Sequence, residues 1–263
     1  MKTVRAAMIG DVVGFLGLEI LEAKLPALIK ERQIDFVTVN GENAAEGFGM
    51  TERDFRRIIA AGADAVTSGN HVWEKREFWP VLENEKNMLR PANYPKDAVG
   101  AGLVRIEKNG VTWTVINLQG REYMSAIDCP FQCFDLCFAK AQADTAAASS
   151  VIIIDFHAES SREKEALAYY ADGRASLIAG THTHVQTADE RILPKGSAYI
   201  TDLGMTGIED SVIGMDPEIC LQRVRKQVMY HMETAADNKT GQMRGIIAEI
   251  DAYTGRAVSI RRI

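Results

Sequence analysis

Short apolar runs of strand length alternate along the chain with longer amphipathic stretches of helix length. The strand candidates are residues 4–9, 36–39, 65–67, 112–118, 151–156, 176–179 and 198–202, and the helix candidates are residues 18–32, 51–61, 134–147, 161–171 and 217–231. In the first helix, leucine and isoleucine recur every three or four residues from Leu18 to Ile29, which makes one apolar face. Strands that alternate with such helices are typical of parallel β–α units, so the pattern predicts an α/β fold.

Two predicted hairpins interrupt this alternation. Residues 103–107 and 111–115 flank Asn109-Gly110, and residues 246–253 and 258–262 flank Thr254-Gly255. Both dipeptides are turn signals between antiparallel strands. We therefore expect mixed sheets, and because the chain contains no internal repeat or linker-like segment, we expect a single domain over residues 1–263.

Composition and charge exclude several classes of protein. The chain has 263 residues, of which 46% are hydrophobic and 25% charged, as in an ordinary globular protein. The formal net charge of −6 provides no basic surface for long DNA or RNA. The first apolar run is too short for a signal peptide or a membrane span, so we predict a cytoplasmic protein without a membrane partner. The four cysteines include no Cys-x-x-Cys pair and are interpreted as packed thiols.

Polar side chains able to bind metal follow five of the predicted strands. They are Asp11, Glu42 with Asn43, Asn70 with His71, His157, and His182 with His184. Sites in open α/β sheets assemble at the carboxyl ends of parallel strands. The sequence therefore predicts that these side chains converge on one crevice.

The His182-Thr183-His184 segment is the sharpest signal among them. Residues two apart in an extended segment point to the same side, whereas on a helix they diverge by about 200°. Four of the five histidines directly follow strand candidates, and only His231 lies in a helix pattern. A shared metal site therefore explains the positions of these four histidines better than coincidence does.

The number of donors indicates two metal ions. Two carboxylates, two amides and three or four imidazoles exceed the three or four protein ligands that one zinc ion usually takes. Glu42 is the natural bridge, and a hydroxide between ions roughly 3.5 to 4 Å apart is the usual nucleophile of two-metal phosphoester chemistry. Sites for Mg²⁺ or Ca²⁺ do not need this many imidazoles, so the donors indicate iron, manganese or zinc without distinguishing among the three. Among these metals we expect iron first.

Two glycine-rich segments allow a rival interpretation as phosphate-binding loops. Gly47-Phe48-Gly49 leads into a helix, and Gly204-Met205-Thr206-Gly207 follows a strand. Neither has the spacing of a P-loop or of a dinucleotide fingerprint, so each is either a plain turn or a loop whose backbone N–H groups meet a substrate phosphate. A serine nucleophile is set aside because no Gly-x-Ser-x-Gly elbow occurs.

At these residues the sequence resembles the calcineurin-like metallophosphoesterases. It departs from their common pattern because Val13 stands where a histidine is usual and Glu42 stands where the bridging carboxylate is usually aspartate. Both differences are typical of the YmdB-type bacterial phosphodiesterases. The sequence resembles that subfamily over nearly the whole chain. The motifs that carry it are Gly10-Asp11-Val12-Val13-Gly14, Asn40-Gly41-Glu42-Asn43-Ala44, Gly69-Asn70-His71-Val72-Trp73, His157-Ala158-Glu159 and Gly180-Thr181-His182-Thr183-His184.

The resemblance implies a four-layer sandwich of two mixed β-sheets flanked by helices, and the hydrolysis of cyclic nucleotides, 2′,3′-cyclic ones in particular. It also implies a homo-oligomer and a general-acid role for His71 toward the departing oxygen. Glu42 would bridge the two ions. By position, the residues that resemble the family's metal ligands are Asp11, Glu42, Asn43, Asn70, His157, His182 and His184.

Two other functions stay open at this stage. The protein would instead be a metal-dependent phosphomonoesterase if the pocket did not admit a diester. It would be a nucleotide-sensing regulatory protein if turnover were incidental to contacts with other proteins. A small nucleotide is the expected partner in each case.

Overall fold

The structure is a computed structural model that describes residues 2–143, 149–236 and 240–263. The strands are β1 (Thr3–Ile9), β2 (Asp11–Val12), β3 (Phe36–Asn40), β4 (Ala65–Thr67), β5 (Leu103–Lys108), β6 (Val111–Gln119), β7 (Ser150–His157), β8 (Leu177–Thr181), β9 (Arg191–Ile192), β10 (Ala198–Ile200), β11 (Met205–Ile208), β12 (Gly241–Gln242), β13 (Gly245–Asp251) and β14 (Ala257–Arg262). The helices are α1 (Gly14–Arg32), α2 (Glu52–Ala60), α3 (Trp79–Asn84), α4 (Pro130–Ala143), α5 (Ser161–Ala171) and α6 (Pro217–Lys226).

The strands form two large mixed sheets, as the hairpins predict. The first sheet has the order β14-β13-β1-β3-β4, in which β1 is parallel to β3 and antiparallel to β13. The second has the order β5-β6-β7-β8-β10-β9, in which β6, β7, β8 and β10 are parallel. A small third sheet, β12-β11-β2, was not predicted.

The two sheets pack face to face, and helices cover their outer faces. Alternate residues of β1, such as Ala6 and Met8, face the second sheet, while Ala7 and Ile9 face the helices. Between the sheets, Phe36 stacks on Trp113 with ring centroids 4.7 Å apart. Helices α1, α2 and α3 carry residues of the core outside the first sheet, and α4 and α5 carry those outside the second. The predicted four-layer sandwich is confirmed.

Local sequence signals explain where several helices begin. In α1 the leucines of the predicted apolar face, Leu18, Leu21 and Leu25, are buried against the first sheet. The side chain of Thr51 accepts a hydrogen bond from the backbone of Asp54 and starts α2 as a capping box. Ser160 caps α5 in a similar way. These helices therefore lie close to their predicted bounds.

The structure corrects several predicted bounds. The helix predicted over residues 217–231 ends at Lys226, because Gln227 takes the left-handed conformation with φ 55°. The helix predicted to begin at residue 134 begins at Pro130, and the predicted part from 144 to 147 lies outside the described residues. The short elements β2, β9, β11, β12 and α3 were missed because two to six residues show no periodicity.

Within the described part of the chain, no helix combines the length and the apolar character needed to cross a membrane.

Candidate metal centre

The carboxyl ends of strands from both sheets meet at one place. Glu42 follows β3, Asn70 follows β4, His157 ends β7, and His182 follows β8. The two sheets are tied there by Asn40, whose Nδ2 donates to Oδ2 of Asp155 at 3.1 Å. The side chains that the sequence predicts to converge are therefore neighbours across the two sheets.

Gly69 allows the loop after β4 to approach His157 closely. A Cβ atom placed on Gly69 would lie 2.1 Å from Cδ2 of His157, closer than any real contact. Only glycine permits this approach, and it brings the next residue, Asn70, beside the imidazole.

One group of donors surrounds Nε2 of His157. Oε1 of Glu42 lies 2.9 Å from this nitrogen, and Oδ1 of Asn70 and Nδ1 of His182 each lie 3.0 Å from it. Ligand atoms of Glu42, His157 and His182 all lie within 4.8 Å of one another. A single N–H cannot satisfy three such partners, but one cation can.

A second group lies beside the first. Nε2 of His184 is 3.8 Å from Oδ1 of Asp11 and 2.8 Å from the amide nitrogen of Asn43. Oδ1 of Asp11 and Oδ1 of Asn43 are buried without a hydrogen-bond partner. Buried oxygens usually have a partner, so these two unsatisfied atoms fit a site for a cation. Asp11 also contacts the first group, since its Oδ2 accepts from the backbone of His182 at 3.3 Å.

The electrostatics of the centre favour added positive charge. Burial lowers the pKa of His157, but the carboxylates of Glu42 and Asp11 outweigh it and raise that pKa to about 9. Burial likewise raises the pKa of Glu42, but His157 and His71 outweigh it and lower that pKa to about 2. Burial raises the pKa of Asp11 to about 6, which shows how costly an unneutralised carboxylate is at this position.

His157, His182 and His184 share a further feature. In each of them, the ring nitrogen that faces away from the centre lies beside an acceptor. Metal-binding histidines generally have such an outer partner, which fixes the tautomer and the ring orientation. The pairs are Nδ1 of His157 with Oγ1 of Thr181 at 2.9 Å, Nε2 of His182 with Oε2 of Glu159 at 3.1 Å, and Nδ1 of His184 with the carbonyl oxygen of Ile213 at 2.8 Å.

His71 is held next to the centre but its ring lies outside both groups. Its backbone N–H donates to Oε2 of Glu42 at 3.1 Å. The ring is partly exposed, with Nδ1 3.3 Å from Oε1 of Glu74 and an edge contact to Phe48 at 5.0 Å between centroids. His71 also lines a cavity above the centre, described next, where its ring can contact a bound molecule.

A cavity of about 730 Å³ opens above the two groups. Its floor is polar, and its largely apolar wall is supplied by Phe48, by α6 and by the loops before and after α6. The floor contains Glu42, Asn43, His71, His182 and His184, and the wall contains Phe48, Val212, Ile213, Met215, Val224, Met229 and Met232.

Of the two glycine-rich segments, one reaches this cavity. Gly47 lines it beside Phe48. The segment after Gly204 is strand β11, which pairs with β2, with Met205 opposite Asp11. The second segment therefore has a sheet-forming role that the sequence did not indicate.

A buried ion pair supports the His182-Thr183-His184 segment. His182 and His184 both take positive φ, 98° and 64°, which is strained for residues other than glycine. Asp202 accepts from the backbone N–H of Thr183 at 3.1 Å and from its hydroxyl at 2.8 Å. Lys164 donates to the same carboxylate at 2.7 Å, and both side chains are only 1% exposed.

Replacing Lys164 by methionine is expected to destabilise the protein by about 3 to 5 kcal/mol, because it leaves the Asp202 charge buried and unpaired. The double variant Lys164→Met/Asp202→Asn removes both charges and keeps an acceptor for Thr183, so it should recover most of this loss. Urea unfolding of the two variants measures the difference. A double variant as unstable as the single one would contradict the unpaired-charge explanation.

Sequence reasoning missed the residues behind the candidate ligands. Asp155 and Glu159 stand two residues on either side of His157 in the chain, which was the available signal. Lys164 and Asp202 gave no local signal, because they meet only through the packing of α5 against the end of β10.

The layered fold and the donors at the strand ends are typical of a phosphoesterase, and the comparisons with known proteins show that the protein is a phosphoesterase enzyme. The chain belongs to the family described as YmdB-like protein, whose model matches residues 7–263. The resemblance stated from the motifs is thereby confirmed.

Three similar proteins illustrate the relationship. A Bacillus subtilis relative named 2′,3′-cyclic-nucleotide 2′-phosphodiesterase is 46% identical over 259 residues, which cover 98% of this chain and 96% of the relative. A crystal structure of a novel phosphatase from Mycoplasma pneumoniae is 33% identical with a TM-score of 0.92, covering 100% of this chain and 93% of that one. A hypothetical protein from Thermus thermophilus is 38% identical with a TM-score of 0.87, covering 99% and 98%.

Proposed function

We propose that this protein is a dinuclear metal phosphodiesterase that hydrolyses 2′,3′-cyclic nucleotides. The observation that carries the proposal is the pair of ligand groups, with unsatisfied buried oxygens on Asp11 and Asn43, at the floor of a large cavity. The name of the Bacillus subtilis relative supports the choice of substrate.

In this proposal each group of side chains would hold one ion. Asp11, Asn43 and His184 would hold the first, Asn70, His157 and His182 would hold the second, and Glu42 would serve both. Histidine with carboxylate and amide oxygens suits iron, manganese or zinc, and we propose iron first. When bound, the ions would neutralise charge on the phosphoryl oxygens and acidify the attacking water.

We assign His71 as the general acid. Its backbone hydrogen bond to Glu42 keeps it beside the centre, while its ring faces the cavity. Because Nδ1 lies near Glu74, Nε2 is the nitrogen left to hold a proton for the departing ribose oxygen. This role suits a diester whose leaving group is a poorly acidic hydroxyl.

The shape of the cavity supports a small nucleotide as the substrate. The polar floor suits a phosphate, and the apolar wall from Phe48 to Met232 suits the faces of a base. The net charge of −6 agrees with a small substrate rather than a long nucleic acid.

The test combines metal analysis with a panel of substrates. Protein purified without chelators should hold two transition-metal ions per chain and should hydrolyse 2′,3′-cyclic nucleotides faster than linear diesters or nucleoside monophosphates. Preference for a monophosphate would establish the phosphomonoesterase alternative instead. One ion or none after metal reconstitution would contradict the dinuclear centre.

Metal removal is expected to lower the melting temperature, since the buried carboxylates and imidazoles of the centre are then left without the cations. At a metal concentration of 100 times Kd, each ion should stabilise the protein by about 2.7 kcal/mol. For a chain of this size each such contribution corresponds to a shift of roughly 5 to 11 °C. Thermal scans of metal-loaded and chelator-treated protein measure it, and coincident curves would show that these residues form no common metal site.

A further inference from the structure

The buried carboxylate of Asp155 lies behind the metal centre and receives hydrogen bonds from both sheets. Oγ1 of Thr181, at the end of β8, donates to Oδ1 at 2.7 Å. Nδ2 of Asn40, at the end of β3, donates to Oδ2 at 3.1 Å, and the hydroxyl of Thr67, at the end of β4, donates to the same oxygen. Asp155 itself is 1% exposed and stands two residues before His157 on β7.

One branch of this network determines the orientation and the tautomer of His157. Thr181 has a single hydroxyl proton, and that proton is donated to Asp155. Its oxygen can therefore only accept from Nδ1 of His157, which lies 2.9 Å away. With a hydrogen held on Nδ1, Nε2 is the nitrogen that faces Glu42, Asn70 and His182.

The other branch determines the turn that carries Glu42. The amide of Asn40 directs Nδ2 toward Asp155, where it donates to Oδ2 at 3.1 Å. Its Oδ1 then faces the opposite way and accepts from the backbone N–H of Glu42 at 3.2 Å. This bond holds Glu42, the second residue after β3, next to the centre.

We infer that Asp155 is a positioning residue that orients ligands from both sheets, His157 through Thr181 and Glu42 through Asn40. The inference rests on the proposed function only for the role of these two residues as metal ligands. A carboxylate that served merely to tie the sheets together would contribute to stability and would leave the tautomer of His157 and the metal affinity unchanged.

The decisive variants change one hydroxyl at a time. Thr181→Val is close to isosteric and removes the acceptor for Nδ1 of His157, whereas Thr181→Ser keeps it. Thr112→Val is the matched control, because Thr112 is also a buried strand threonine. Its hydroxyl donates to Glu107 at 2.6 Å, and it lies at the end of β6 opposite to Gln119, the residue paired with His157. Asp155→Asn tests the carboxylate itself.

The measurements use Zn²⁺ as the probe, with affinity determined by competition with a chelator. Thr181→Val and Asp155→Asn should lower Zn²⁺ affinity about 10- to 100-fold, the usual cost of losing an outer partner of a metal-binding histidine. Thr181→Ser should stay within about threefold of the parent, and Thr112→Val should lose stability without losing affinity. In ¹H–¹⁵N spectra of the Zn²⁺-loaded parent, His157 should show a protonated Nδ1, and Thr181→Val should weaken that signal.

The outcomes separate this inference from the proposed function. Parent-like Zn²⁺ affinity and ¹⁵N signals in both Thr181→Val and Asp155→Asn would overturn the positioning role, even if both variants melted lower. A parent protein that binds no Zn²⁺ would overturn the metal centre and the positioning role together. A parent that binds Zn²⁺ and shows these effects but does not cleave cyclic nucleotides would overturn only the substrate assignment.

Discussion

Replacing Glu42 by alanine is expected to reduce cyclic-nucleotide hydrolysis by at least about 10³-fold. This exceeds the roughly 10²- to 10³-fold cost of removing a single electrostatic contact in an active site, because Glu42 would serve both ions. Its two carboxylate oxygens have different neighbours, with Oε1 at 2.9 Å from His157 and Oε2 accepting from the backbone of His71. The variant should also hold fewer metal ions.

Asn43→Ala is the comparison, because Asn43 belongs to only one of the two groups and offers a neutral amide. We expect a loss of roughly 10- to 100-fold in kcat/KM, of the size seen when a supporting metal contact is removed. Glu165→Ala, which changes a half-exposed glutamate paired with Arg191, controls for loss of negative charge. Equal losses for Glu42→Ala and Asn43→Ala, with equal metal contents, would rule out Glu42 as the bridge.

Replacing His71 by alanine is expected to have an effect that depends on the leaving group. A positioned general acid contributes about 10²- to 10⁴-fold, but only when the departing oxygen is basic enough to need a proton. A ribose hydroxyl needs one, whereas nitrophenolate leaves as the anion. The variant should therefore lose most of its activity on 2′,3′-cyclic nucleotides and much less on bis(p-nitrophenyl) phosphate.

The metal content of the His71→Ala variant, together with its activity on the two substrates, distinguishes a general acid from a metal ligand and from a residue that stabilises phosphoryl charge. The ring lies outside both ligand groups, so His71→Ala should keep the parent's metal content. Equal slowing on both substrates with metals retained would mean that His71 stabilises charge on the phosphoryl oxygens. Loss of metal in His71→Ala would mean that His71 is a metal ligand. His231→Ala, which changes the histidine outside the strand-end set, is the matched control.

The sequence by itself determined the longer strands and helices and which of their ends carry donors. Hydrophobic periodicity is a local property, so the apolar face of α1 and the strand before His157 are visible without knowing what packs on them. The spacing of His182 and His184 is a different case. The extended backbone assumed for it is wrong, because β8 ends at Thr181 and both histidines have positive φ, although both side chains still reach the centre.

Only the tertiary structure decided how the donors divide and what orients them. The two groups, one around Nε2 of His157 and one around Nε2 of His184, depend on how closely the two sheets approach, which no local pattern encodes. The pairing of Lys164 with Asp202 likewise joins residues 38 positions apart in the chain. In the sequence, Asp155 looks like an ordinary residue of a buried strand. Its hydrogen bonds come from the ends of β3, β4 and β8, so they form only once these strands have packed beside β7.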